Sequence, residues 1–250
     1  MSASTLIELK RVHKRFNDFV AVEDLDLAVS VGETVALVGR TGAGKSTVMN
    51  LIMGTIRADR GTVTVAGADP YASFASLKGK LAVSFQTDRL LPWRTAVENA
   101  ELGLLLLGRK ATDARRVALE WLDRVKLQGA AAKYPHELSG GMRQRVSLAR
   151  ALAVDPALVL LDESFSQLDH VTSATLRRDF SQIVRQYGKT CVFVTHRIDD
   201  AIEMADRILV LAPGARLALE VKVAPAQRED ADEAARLHAL IAQTMGGEEQ

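Results

Sequence analysis

Gly39-Arg-Thr-Gly-Ala-Gly-Lys-Ser-Thr47 is the stretch on which the fold turns. It follows the apolar run Val35 to Val38 and opens a helix near Lys45. A Gly-x-x-x-x-Gly-Lys-Ser pattern between a strand and a helix is a phosphate-binding loop. Glycines let successive backbone N–H groups converge on phosphate oxygens with no Cβ in the way, and the helix adds its positive N-terminal end. Within that loop of Gly39, Arg40, Thr41, Gly42, Ala43, Gly44, Lys45, Ser46 and Thr47, Lys45 is placed to reach the terminal phosphates and Ser46 to ligate magnesium. The expected ligands are ATP and Mg2+.

Working outward, unbroken apolar runs recur at Ala157 to Leu161, Val192 to Val194 and Ile208 to Leu211, which reads as parallel strands covered on both faces. The runs ending near Val38, Leu161 and Val194 each lead into polar residues, where ligands of open α/β sheets gather. Leu25, Leu27, Val29 and Val31 alternate with other residues, as do Val63 and Val65, predicting half-buried antiparallel strands. From Thr95 to Ala153 the character is helical, with Thr112-Asp113 as a cap and Val117, Leu119, Leu122 and Val125 as an apolar face. A second helix runs from Val171 to Tyr187, with Leu176, Phe180, Ile183 and Tyr187 at helical spacing and Gly188 to end it. After Pro213-Gly214 come a short strand, a helix from Asp230 to Met245 and an acidic tail, Gly246 to Gln250, expected to fray. The expectation is an α/β fold with a mostly parallel core sheet, an antiparallel β subdomain and an inserted helical subdomain over 95–153. Residues 1–225 would form the main domain and 226–250 a C-terminal helix and tail.

Composition bounds the partners. With 250 residues and 48% hydrophobic content the chain can bury a large core, and 32 Lys and Arg against 31 Asp and Glu leave no overall field for nucleic acid or anionic lipid. The single cysteine, Cys191, excludes an intrachain disulfide or thiolate cluster and reads as a buried strand residue in Thr190-Cys-Val-Phe-Val. Leu102 to Leu107, a long apolar stretch, falls far short of the roughly 20 residues that span a bilayer, and the opening residues do not read as a secretory signal. A cytoplasmic chain is expected. His13, His136, His170 and His238 show no metal-ligand spacing.

Ala157-Leu-Val-Leu-Leu-Asp-Glu163 is a buried strand ending in two carboxylates. That suits a magnesium-binding acid, Asp162, followed by a general base, Glu163, that orients the attacking water. Leu138-Ser-Gly-Gly-Met-Arg-Gln-Arg145 then supplies a capping serine and two glycines at a helix start, another anion-binding arrangement.

With that string the sequence closely resembles the ATP-binding cassette proteins, over roughly Leu6 to Leu211, with the motifs in the expected order. The resemblance implies an ABC cassette of the P-loop NTPase fold in which Ser139, Gly140 and Gly141 of one protomer complete the site of another. It implies that Phe16 stacks on adenine, that Gln86 contacts magnesium and the attacking water, that Asp169 lies in the loop crossing to the partner protomer, and that His196 senses the γ-phosphate. Two departures stand out: most members carry Gln where Met142 stands, and Pro where Ser164 follows the catalytic Glu, so a looser backbone is expected there. Leu90-Leu-Pro-Trp-Arg-Thr-Ala-Val-Glu-Asn99 is similar to the ATPases of the nitrate, sulfonate and taurine importers. Trp93 is either an exposed anchor for a membrane subunit or a residue packed inside the helical subdomain.

The implied partners are a second copy of the chain in a head-to-tail dimer, integral membrane permease subunits that hold it on the inner face of the cell membrane, and an extracytoplasmic solute-binding protein. No nucleic acid is expected. Chromosome-type cassettes place a long coiled coil between the phosphate loop and the signature, and translation-type members carry two cassettes in one chain; neither pattern is present between Lys45 and Ser139 or elsewhere. A soluble cassette ATPase with a non-transport role, or the motor of an exporter or lipoprotein-release system, is the alternative reading, opposed only by Leu90 to Asn99.

Overall fold

A computed structural model describes residues 4–166 and 168–246. The chain runs through β1 (Thr5–Phe16), β2 (Phe19–Ser30), β3 (Thr34–Val38), α1 (Lys45–Met53), β4 (Arg60–Val65), β5 (Leu81–Ser84), α2 (Ala96–Leu106), α3 (Ala111–Arg124) and α4 (Gly140–Ala153). It continues with β6 (Leu158–Asp162), α5 (His170–Gln186), β7 (Thr190–Thr195), α6 (Ile198–Met204), β8 (Arg207–Ala212), β9 (Arg216–Lys222), α7 (Pro225–Glu229) and α8 (Ala231–Gly246). Two compact units emerge, one from the described residues up to Leu77 and from Thr190 onward, the other over Lys78–Lys189.

In the first unit, β1 pairs antiparallel with β2 and with β4, and the alternation expected for these strands puts Leu25, Leu27, Val29, Val63 and Val65 in the core. Val31 departs from that pattern. It lies past the end of β2 in the turn before β3, and is exposed. All five residues of β3 are buried, because it is flanked by parallel partners on both edges: Val35 opposite Val192 of β7, and Ala36 opposite Ile208 of β8. Strand β9 closes that edge antiparallel to β8. Arg207, at the start of β8, is braced by Glu33 at 2.7 Å and Glu220 at 3.0 Å. Cys191 is fully buried in β7, and burial pushes its thiol far up, so it stays protonated. Helix α8 buries Leu237 and Ile241, one turn apart on one face. The acidic tail beyond Gly246 lies outside the described residues.

In the second unit, β5 and β6 pair parallel, and α2, α3 and α4 pack on one another. The sequence-based cap of α3 is displaced: the helix starts at Ala111 and Lys110 caps it without a side-chain bond. Its buried stripe is Ala114, Ala118, Trp121, Leu122 and Val125, whereas Leu119 is exposed. Two alanines let the helix approach its neighbours closely, so the apolar face follows small residues that a search for large ones overlooks. Helix α5 buries Leu176, Phe180 and Ile183 at the expected spacing, and Gly188 ends it at φ 58°. Asp179 on α5 accepts from Lys126 at 2.7 Å and from Arg145 at 2.8 Å. Burial raises its pKa, but the two cations outweigh that and hold it below the usual carboxylate value.

Candidate functional site

The phosphate loop lies in the first unit and is shaped by its own backbone. Gly42 and Gly44 adopt φ 87° and 93°, the left-handed region that glycine reaches without strain. Gly44 is the N-cap of α1, and a Cβ there would collide with the carbonyl oxygen of Ala21. At Gly39 a Cβ would sit 2.5 Å from the carbonyl oxygen of Leu211. The loop is thus seated against β2 and the end of β8, with Ala215 N–H donating to Ala43 O at 2.9 Å. Lys45 is only 7% exposed and its Nζ donates to Gly39 O at 2.6 Å and Arg40 O at 2.8 Å. The ammonium is held inside the curve of the loop, where an anion at the α1 N-terminus would meet it. Ser46 is exposed in the first turn of α1. Phe16 ends β1 with 44% of its surface exposed and Lys14 Nζ 5.3 Å from its ring, so it is a surface residue rather than a core one. His196 follows β7 and is exposed, while Thr195 Oγ1 accepts from Arg197 N–H at 3.0 Å to turn the chain into α6.

The paired carboxylates lie in the second unit. Asp162 is the last residue of β6, and Glu163, the first beyond it, takes φ 47°. A non-glycine residue there is strained and must be held by its surroundings. Its carbonyl accepts from Ser166 N–H at 3.0 Å and from Ser166 Oγ at 2.9 Å. Gln86 Nε2 donates in turn to Ser166 Oγ at 3.2 Å, so the glutamine and the Glu163 turn share one hydroxyl. Ser164, where a looser backbone was expected, is instead tied down: its hydroxyl donates to Ser84 O at 2.8 Å.

Ser139 caps α4, its Oγ accepting from Met142 N–H at 3.3 Å, so the Gly140 and Gly141 amides begin a helix as expected. Gly141 has a packing reason too, since a Cβ would lie 2.5 Å from Thr172 Cγ2 on α5. Met142 is partly buried in that first turn. Asp169 is itself a cap: it accepts from Thr172 N–H at 3.0 Å at the start of α5, and that bond lowers its pKa. Gln167, between Ser166 and Leu168 in the same loop, lies outside the described residues.

Sequence reasoning missed the bracing of the loop from Phe85 to Thr95. Asn99, fully buried on α2, donates to Leu91 O, Arg94 O and Thr95 O at 3.0 to 3.1 Å and accepts from Leu91 N–H at 2.8 Å. Arg143 Nε reaches Asp88 Oδ2 at 2.9 Å, and Arg150 donates to the carbonyls of Asp88 and Arg89, each at 2.8 Å. The legible clue was Thr95-Ala-Val-Glu98, a capping box that starts α2 and aims Asn99 back at the loop. Trp93 emerges from this brace 70% exposed, so it does not pack inside the helical subdomain.

Among the described residues no helix is long and apolar enough to cross a membrane, and no group of three or more His, Cys, Asp and Glu could hold a metal. Residues 22–166 match the family described as ABC transporter. The chain is 38% identical over 239 residues to the aliphatic sulfonates import ATP-binding protein SsuB 1 of Mesorhizobium japonicum, covering 95% of this chain and 88% of that protein. It is 38% identical over 218 residues to the nitrate import ATP-binding protein NrtC of Synechococcus elongatus, covering 84% of this chain but only 32% of that longer protein. Among solved structures, the dimeric ATP-binding cassette MJ0796 in a post-hydrolysis state with ADP and Pi superposes with a TM-score of 0.76 at 32% identity, over 87% of this chain and 99% of that one. A glycine-shaped phosphate loop, a strand ending in two carboxylates, a serine-capped signature helix and these likenesses agree: the chain belongs to the ABC transporter family, with the α/β cassette fold.

Proposed function

We propose that this chain is the ATP-hydrolysing subunit of an importer, working as a head-to-tail pair with a second copy. The observation that carries the reading is the phosphate loop, with two left-handed glycines ahead of α1 and Lys45 curled inside. Lys45 binds the terminal phosphates, the loop amides and the α1 N-terminus orient them, and Phe16 stacks on the base, contributing about 1 to 3 kcal/mol with little selectivity. Arg40, Thr41, Ala43 and Thr47 contribute the loop backbone. The donor set fits Mg2+, which takes one or two protein oxygens and completes its shell with phosphates and water: Ser46 and Asp162 supply hard oxygens, with Gln86 as a further ligand. When bound, Mg2+ neutralises charge on the phosphates.

Glu163 orients and deprotonates the attacking water, and His196 holds the γ-phosphate region. Ser139, Gly140 and Gly141 act on the nucleotide of the other copy, with Asp169 in the crossing loop. Binding of two ATP molecules draws the copies together, and hydrolysis removes the bridge. The exposed Trp93, on the loop that also carries Gln86, delivers that movement to a membrane permease, which keeps this cytoplasmic chain on the inner face of the membrane. The solute is small, in the class of nitrate, sulfonates and taurine, and an extracytoplasmic binding protein selects it.

Replacing Glu163 tests the chemistry. Glu163→Gln should slow ATP turnover by roughly 10² to 10⁴ while leaving ATP binding intact. Near-normal hydrolysis by this variant, measured as phosphate release, would remove Glu163 from the role of base.

A further inference from the structure

We propose that Ser164 is a positioning residue for Glu163, setting the turnover rate through a hydroxyl that a relative with proline there does not have. The inference rests on the reading of Glu163 as the general base. Ser164 is 3% exposed and its Oγ donates to the carbonyl of Ser84, the last residue of β5, at 2.8 Å. Ser84 is fully buried, and its own hydroxyl accepts from Gln144 Nε2 at 3.3 Å, so the line continues into α4, the helix that Ser139 caps. Two residues beyond Ser84, Gln86 donates to Ser166, which donates to the carbonyl of Glu163. The segments 84–86 and 163–166 are therefore stitched twice, once through Ser164 and once through Ser166.

Between the stitches sits Glu163 at φ 47°. A residue in that conformation holds its geometry only while its neighbours over-determine it. The Ser166 bonds fix the carbonyl of Glu163 from one side, and the Ser164 tether fixes the peptide that follows from the other. Removing the tether lets the turn relax toward an unstrained φ and swings the Glu163 carboxylate away from the water it must orient. A displacement of about 1 Å at a catalytic group costs up to about a hundredfold in rate. Ser164 bonds to the backbone of Ser84 and is buried, so its hydroxyl is spent on the turn and the change is expected in turnover more than in nucleotide affinity.

The test is steady-state ATP hydrolysis by the purified protein carrying Ser164→Ala, Glu163→Gln or both. Ser164→Ala is expected to lower kcat about tenfold with KM for ATP within about twofold, a split that general loosening of the fold does not produce. In the Glu163→Gln background the same change should add nothing, since the residue acts through the carboxylate. Ser164→Cys, which fills the space with a weaker donor, gives the same readout should the alanine variant not fold, and an unchanged kcat in it counts against the proposal. Wild-type kcat in Ser164→Ala, or an equal tenfold loss in both backgrounds, overturns the positioning role while a slow Glu163→Gln leaves the base intact. A fast Glu163→Gln overturns both.

Discussion

Two loops of this chain leave the end of a parallel strand, Gly39 to Gly44 after β3 and Phe85 to Thr95 after β5, and they are held by opposite means. The first is shaped by what its residues lack. Its glycines let it press against the carbonyls of Ala21 and Leu211, and Lys45, the residue after it, folds its side chain back onto the loop carbonyls. The second is shaped by side chains reaching in from helices: Asn99 from α2, and Arg143 and Arg150 from α4. The difference follows from what each loop presents. A loop that offers backbone N–H groups to phosphate must leave them clear, so its curvature comes from conformational freedom. A loop that offers a side chain outward, Trp93, can have every carbonyl behind it taken by donors.

The sharpest way to break that contrast is Gly44→Ala. It places a Cβ at φ 93° against the Ala21 carbonyl, so the loop must move, and ATP affinity is expected to fall by about a hundredfold or more. Equilibrium binding of a non-hydrolysable analogue checks it, and affinity within twofold of wild type would show the loop is more pliable than its packing implies. Next comes Asn99→Ala, which strips four hydrogen bonds from the second loop and leaves the Leu91, Arg94 and Thr95 carbonyls and the Leu91 N–H to find new partners. We expect a loss of about 2 to 3 kcal/mol in stability by denaturant titration, with ATP affinity little changed. Trp93→Ala should be the smallest in the isolated chain, within about 0.5 kcal/mol in stability, because the ring is exposed. Its effect should appear only with the permease present, as weakened assembly or as ATP hydrolysis uncoupled from transport.

The same contrast governs what could be read in advance. The phosphate loop is legible residue by residue because its mechanism lies in consecutive residues. Asp162 and Glu163 were legible for a similar reason, a buried run stopping at two charges. The brace of the second loop was not, since Asn99 and Arg150 act on carbonyls, and Arg143 on the Asp88 carboxylate, from 4 to 62 residues away. Helix α3 misled for another reason: its fully buried positions include Ala114 and Ala118, which carry little hydrophobic signal, whereas Leu119, expected on the apolar face, is exposed. Asp169, expected in a crossing loop, also caps α5, a local bond that its spacing from Thr172 allowed.

By itself the sequence determined the buried core strands, the helical stretch between them and the polar residues that follow Val38, Leu161 and Val194, because period, glycine placement and charge are properties of neighbouring residues. Only the tertiary structure decided that Trp93 stands in solvent, that Ser164 is anchored to Ser84 where a looser turn was expected, and that Glu163 is held in a left-handed conformation. These depend on which distant donor meets which carbonyl, and a hydrogen bond across 80 residues leaves no periodic trace in the chain that makes it.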